Sequence, residues 1–228
     1  MKKKFIEDKK FRLIVMLLVT VFIVTSFSFA WFIMRATDET QNFSVANFQA
    51  EPYCYFKNGE NEVLPENIEL TDEKGNPITD EEGNAVVALD DNGLIVLSTN
   101  PGDDNYIGNF CVDVKYKGDG AGYLRVKMVH EYSINGMSNQ HPANVPYKIA
   151  DEGNWHDNRG DDYCYYYKNE LDADGDAEQT LSFITANNDI DLGALADGIV
   201  IKVAVETDMV QINRYPQIWG MGELPWEQ

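Results

Sequence analysis

The chain has 228 residues and carries 38 Asp/Glu against 18 Lys/Arg, a formal net charge of −20. A surface of that sign repels phosphate backbones and anionic lipid, which argues against nucleic acid as a partner. Aromatic residues make up 12% of the chain, too many for a disordered acidic tail, so a packed core is expected.

The first element is apolar. Leu13 to Met34 carries no charge, and Lys2, Lys3, Lys4, Lys9, Lys10 and Arg12 precede it. At about 1.5 Å per residue this stretch is long enough to cross a hydrocarbon core of about 30 Å as a helix, with the basic side in the cytoplasm. It also reads as a secretory signal, with a basic n-region, an apolar h-region and the small residues Ser28 and Ala30 before a cut at Ala30–Trp31. Two organisations follow: a signal peptide over 1–30, or a transmembrane helix over 13–34. Either way the remainder is extracellular, secreted or held at the cell surface. The first thirty residues hold six Lys/Arg and two Asp/Glu, which leaves the exported part at −24. About two hundred residues remain, enough for one domain with a sizeable core.

A polar link leads to Asn42–Gln49, where Phe43 and Val45 alternate with polar residues at the period of a half-buried strand that ends near Phe48. Glu51-Pro52 is expected to break it, and Tyr53–Phe56 to form a second short strand closed by Asn58-Gly59. Residues 60–93 read as an acidic insertion outside the core. Within it Thr71–Ile78 is nearly repeated as Thr79–Val86, each copy with a Gly-Asn pair suited to a tight turn. Two copies are too few for a solenoid, so two exposed turns on a flap are expected.

Leu94–Leu97 precedes a strong turn signal at Ser98–Asp104. Two strands follow, Asn109–Tyr116 and Tyr123–Val129, joined by the glycine-rich link Lys117–Gly122, which suits a hairpin or a longer β-connection. Ser133–Gly160 is polar and without a clear period. Asp162–Lys168, Thr180–Ile184 and Ile199–Thr207 read as further strands. The fold class is therefore all-β, an antiparallel jelly roll or β-sandwich over residues 50–228.

Enzymatic chemistry is not visible. His130-Glu131 lacks the second histidine of H-E-x-x-H, because Ile134 holds that place. His141 and His156 share no ligand spacing with it, and no G-x-S-x-G, Walker A or G-x-G-x-x-G motif occurs. Asp172, Asp174 and Asp176 have the 1-3-5 spacing with which carboxylates converge on Ca²⁺. The later EF-hand positions are occupied by Ala177 and Phe183 instead of Gly and Glu, so a solvated acidic turn competes with weak Ca²⁺ binding. No other cofactor is expected. The tyrosines 163 and 165–167 can stack on sugars, although sheet packing is the ordinary use of such a strand. Cys54, Cys111 and Cys164 form no CxxC and leave any pairing open.

Four features resemble the TasA/camelysin family of exported Gram-positive proteins, whose export is associated with the SipW type of signal peptidase. They are Phe29-Ala30-Trp31-Phe32 at the end of the h-region, the strand Phe43–Phe48, the turn Asn100-Pro101-Gly102-Asp103 before an alternating strand, and Ile199–Gln211 with Trp219-Gly220. The resemblance implies a jelly-roll subunit of surface or biofilm-matrix fibres. Such subunits assemble with copies of themselves by β-strand addition, here through residues 31–49 with Phe43, Val45 and Phe48 as the assembling side chains. The rival reading is a membrane-anchored extracellular module that binds carbohydrate or protein. Camelysin-type members have been described as proteases, but these residues show no site for that.

Overall fold

The computed structural model describes residues 47–227 except 73, 135–136, 142–144 and 192–199, with backbone alone at 133–134 and 137–141. The cut at Ala30–Trp31, the segment 13–34 and the strand residues Phe43 and Val45 lie outside the described residues. Among those described, no helix is long and apolar enough to cross a membrane.

The fold is an antiparallel all-β sheet whose spine is one strand of 25 residues. The ten strands are β1 (Gln49–Asn58), β2 (Asn61–Val63), β3 (Ile95–Leu97), β4 (Phe110–Ile134), β5 (Met137–His141), β6 (Lys148–Ile149), β7 (Trp155–Asn158), β8 (Cys164–Tyr167), β9 (Leu171–Thr185) and β10 (Val200–Gln211). The glycine-rich link is therefore not a two-strand hairpin turn, because β4 continues unbroken through it. Its even length keeps the alternation in phase. Phe110, Val112, Val114 and Tyr116 before it, and Leu124, Val126, Met128 and His130 after it, are all buried.

Pairing around β4 explains the shape. Along one edge β8 and β9 follow each other, from Lys127↔Cys164 down to Val112↔Ile184. Along the other edge β1 pairs with 110–117 and β10 with 122–133. Ala50 on β1 faces Tyr116, and Thr207 on β10 faces Val126. On a straight strand those two stations would stand about 33 Å apart at about 3.3 Å per residue. Yet Thr207 Oγ1 donates to the Ala50 carbonyl at 2.7 Å. β4 must therefore fold back on itself between 117 and 122, bringing β1 and β10 together in a sandwich-like arrangement. Glycine makes the bend available: Gly118 and Gly120 have φ of 155° and 98°, values side chains rarely adopt. On β9 the bend is matched by a bulge, since the register shifts between Tyr116 and Gly118.

Pro52 does not break the first strand. It sits inside β1 opposite Val114. β1 pairs with β2 only over Phe56, Lys57 and Asn58, so the edge beside Pro52 is open and a missing N–H is tolerated there.

The segment 60–93 is less peripheral than its composition suggests. Pro65, Ile68 and Ala88 are buried, the last two in the main core. Its outer part carries three turns, not two. Each is closed by an Asp whose Oδ1 accepts two backbone N–H groups: Asp72 from Lys74 and Asn76, Asp80 from Glu82 and Asn84, and Asp90 from Asn92 and Leu94. Backbone bonds from Ile78 to Leu70, Val86 to Ile78 and Val96 to Ala88 join the turns to one another and to β3.

The polar stretch 133–160 also contributes core. Val145, Tyr147 and Trp155 are buried, and Trp155 packs on Phe183 with ring centroids 4.6 Å apart. In β8 the tyrosines are sheet packing: Tyr165 and Tyr166 are buried, while Tyr163 stands outside the strand in a left-handed conformation. The chain end covers the outer face. Trp219 Nε1 donates to Asp208 at 2.6 Å, and the Arg125 guanidinium lies over the Trp219 ring.

Candidate functional site

Of the residues expected to drive assembly, Phe48 is described, just ahead of β1. Phe48 lies on the inner face of the β4 bend. A methyl group at Gly118 would stand 2.6 Å from Phe48 Cδ1 and 2.9 Å from the Asn47 carbonyl. One at Gly122 would stand 2.8 Å from the Val210 carbonyl and 3.1 Å from Phe48 Cζ. The Phe48 ring thus spans a glycine groove, packed against the core, and β1 starts at the next residue with Gln49 opposite Lys117. Of the three assembly residues, Phe48 is the one described, and it is anchored within its own domain.

Beyond that anchor the sheet has open edges. Among the described residues, β1 has no partner strand on one side over 49–55, where Thr207 takes the Ala50 carbonyl, β9 pairs with β6 only at Ile184 and Thr185, and β10 pairs with β3 only at Ile201–Val203. Open edges present free N–H and C=O groups to a further strand, and natural domains guard them with charge, proline and bulges. Glu51 and Pro52 stand on the first edge, Asp172, Asp174 and a bulge on the second.

The Asp172–Asp176 stretch is not a loop. It lies within β9, with Asp172 opposite Ala121 and Asp174 opposite Asp119, all three carboxylate residues exposed. Leu171 and Ala173 are buried between them. Among the described residues no group of three or more His, Cys, Asp or Glu is gathered so as to hold a metal ion.

The cysteines are three separate thiols. Cys54 is opposite Val112 and Cys111 opposite Tyr55, which puts them on different faces of the sheet, and Cys164 pairs in register with Lys127. Burial pushes the Cys54 thiol up to about 12; burial and then Asp162 raise Cys164 to about 11. None is an activated nucleophile. His130 is in the core, directly opposite His141 in the β4–β5 ladder, and His156 rests elsewhere, beside Trp226 with ring centroids 6.5 Å apart.

A cleft of about 610 Å³ opens between the first acidic turn and the Asn100-Pro101-Gly102-Asp103 turn. Several of its polar groups are already committed. Ser98 Oγ donates to Asp103 at 2.5 Å, Asn100 Nδ2 to Asp103 at 2.9 Å, and Asn105 Nδ2 to the Val96 carbonyl at 3.0 Å.

The glycine groove and the third turn were not anticipated from sequence. The signal for the first was present: three glycines at alternate positions 118, 120 and 122 between two in-phase apolar runs. No family model matches the chain, and no curated protein or solved structure matches it either.

Proposed function

We propose that the protein is an exported structural subunit of the cell surface, of the TasA-like fibre or biofilm-matrix type, with a jelly-roll domain that assembles by β-strand addition. In this reading a signal peptidase cuts after Ala30, and the chain from Trp31 onward reaches a neighbouring copy. The observation that carries the reading is the combination of an anchored Phe48 with open sheet edges. Phe48 fixes the start of the sheet, and the segment upstream of it would extend to a neighbouring copy from that point. β-augmentation then supplies main-chain hydrogen bonds, and alternate side chains such as Phe43 and Val45 set the register.

The test is deletion of residues 31–46 from the mature protein, followed by electron microscopy and circular dichroism. This deletion spares Phe48 and β1. Fibres should vanish while the β-sheet signal and cooperative unfolding persist; fibres from the truncated protein would refute assembly through this segment. The intact mass of the cell-surface protein separates this reading from the membrane-anchored module. A chain starting at Trp31 supports the fibre subunit, and a retained 13–34 segment supports the anchored module.

A further inference from the structure

His130 is one of two buried polar or charged residues in the described core, and the other, Asn105, has its amide bonded to Val96. His130 projects inward from β4 at 1% exposure. Its Nε2 lies 2.9 Å from the Tyr147 hydroxyl, and its Nδ1 is buried with no hydrogen-bond partner. Its ring stacks on Tyr147 and Tyr132, with centroids 5.7 and 6.4 Å away. Across the ladders its register partners are Val203 on β10 and His141 on β5. The nearby charge is the Arg159 guanidinium, which lies over the Tyr165 ring and forms an ion pair with Asp157 at 2.7 Å. That carboxylate is engaged by arginine, and among the described residues nothing of opposite sign hydrogen-bonds the imidazole.

We infer that His130 and Tyr147 form an acid-sensitive lock, closed at neutral pH and opened by one proton, at the end of the sheet where β4, β5 and the Val145–Ile149 segment meet. A neutral imidazole suits the site as the Nε2–H tautomer, which donates to the Tyr147 hydroxyl and leaves a bare Nδ1 that needs no acceptor. An imidazolium carries two N–H donors and a charge. The second N–H would have no acceptor, and among the described residues the charge would sit near Arg159 without a counter-ion of its own. Burial first, then Arg159, lowers the His130 pKa to about 4. A folded-state value below the unfolded one means that the unfolded chain takes up the proton first as pH falls. The stability that His130 contributes is therefore complete above about pH 6.5 and is lost on the way down to about pH 4. The balance between closed and open forms shifts by up to tenfold per pH unit, about 300-fold in total. Tyr147 also packs on Phe110, so opening here loosens the start of β4 as well as its end.

The experiment follows amide exchange over 128–149 and Trp155 fluorescence in the full chain, held in neutral detergent, from pH 7 to pH 4. His130→Gln and Tyr147→Phe are compared with wild type. Wild type should lose protection in this region with uptake of one proton between pH 6.5 and 4. His130→Gln should remove that component and leave only the carboxylate-driven loss at lower pH. Should His130→Gln fail to fold, a carbon-13 titration of the wild-type imidazole decides the matter, because an ordinary value near 6.5 with unchanged protection overturns the inference. An undiminished pH slope in a folded His130→Gln overturns it equally.

Discussion

Two stretches of the chain contain the same local code and fold in opposite ways. Asp72-Glu73-Lys74-Gly75 and its two successors, Asp80 to Gly83 and Asp90 to Gly93, make turns. Each has an Asp three residues before a glycine with φ between 76° and 86°. Asp172-Ala173-Asp174-Gly175 has the same Asp-x-x-Gly spacing, and Gly175 has the same left-handed φ of 62°. Yet it lies within a strand. In the turns the carboxylate takes the backbone N–H groups, and the flanking residues have no partner strand over more than a single bridge. In β9 the register partners are Gly118–Gly122, and Leu171 and Ala173 reach the core. The glycine keeps its conformation and becomes part of a bulge instead of a turn. Asp-x-x-Gly therefore closes a turn only where no strand competes for its backbone.

The largest expected effect comes from removing that competition. Leu171→Ala takes away the buried anchor at the start of β9 and should cost about 2–4 kcal/mol in urea unfolding. Amide protection over 171–176 should fall with it. If protection there survives the loss of Leu171, the pairing with the glycine row alone holds the strand.

Next in size is the row itself. Gly122→Ala places a methyl 2.8 Å from the Val210 carbonyl, a backbone atom that cannot step aside without moving β10. A loss of about 1–3 kcal/mol is expected, with Gly153→Ala, which meets open space, as a nearly neutral control. Equal effects at the two sites would show that the close approach at the bend is not what requires glycine.

The three turns can be ranked against each other. Asp90 accepts from Lys202 Nζ at 2.6 Å and is largely buried, whereas Asp80 is exposed and bonds only within its own turn. Asp90→Asn keeps the turn acceptor but loses the ion pair to β10, and should lower stability by about 1 kcal/mol at neutral pH. Asp80→Asn should leave global unfolding unchanged. Burial raises the Asp90 pKa, but Lys202 and the N–H groups of Leu94 and Asn92 outweigh it and hold the value below the usual carboxylate range. A lowered folded value gives stability that is present above about pH 4 and lost as pH falls through the folded value. The gap between wild type and Asp90→Asn should close in the same window.

Much of the sheet was legible as alternation. β10 near its start and both halves of β4 alternate at a period of two, with Ile201 and Val203 fully enclosed, while Cys111 and the consecutive Met209 and Val210 are buried outside that alternation. What stayed hidden depended on partners distant in sequence. Pro52 reads as a breaker because a proline's local meaning is a stop, and only the open edge of β1 makes it harmless. Six residues rich in glycine read as a link, since nothing local shows that Phe48 fills the groove they leave. The third turn escaped notice because it starts ten residues after the second instead of eight, and Leu94 replaces the asparagine that follows the glycine in the first two. The Ca²⁺ spacing was visible, but the backbone that carries it was not.

That spacing supplies the smallest effect and the most direct contrast with the turns. On an extended strand, residues two apart share a face at about 7 Å, and directly opposite residues at about 5 Å. Ca²⁺ needs six to eight oxygens at about 2.3–2.6 Å, which loops deliver by curling and a strand does not. Asp174 stands opposite Asp119 in register, a like-charge pair across the ribbon. Calorimetric titration with Ca²⁺ should therefore give no saturating heat at millimolar concentration. Asp174→Ala should stabilise the ribbon slightly, by about 0.2–0.5 kcal/mol at low salt, through relief of that repulsion. Sodium chloride should erase the gain by screening. Saturable Ca²⁺ binding that Asp174→Ala abolishes would reverse the conclusion. It would mean that the Asp-x-x-Gly code of β9 can leave the sheet and curl, as its counterparts at Asp72, Asp80 and Asp90 already do.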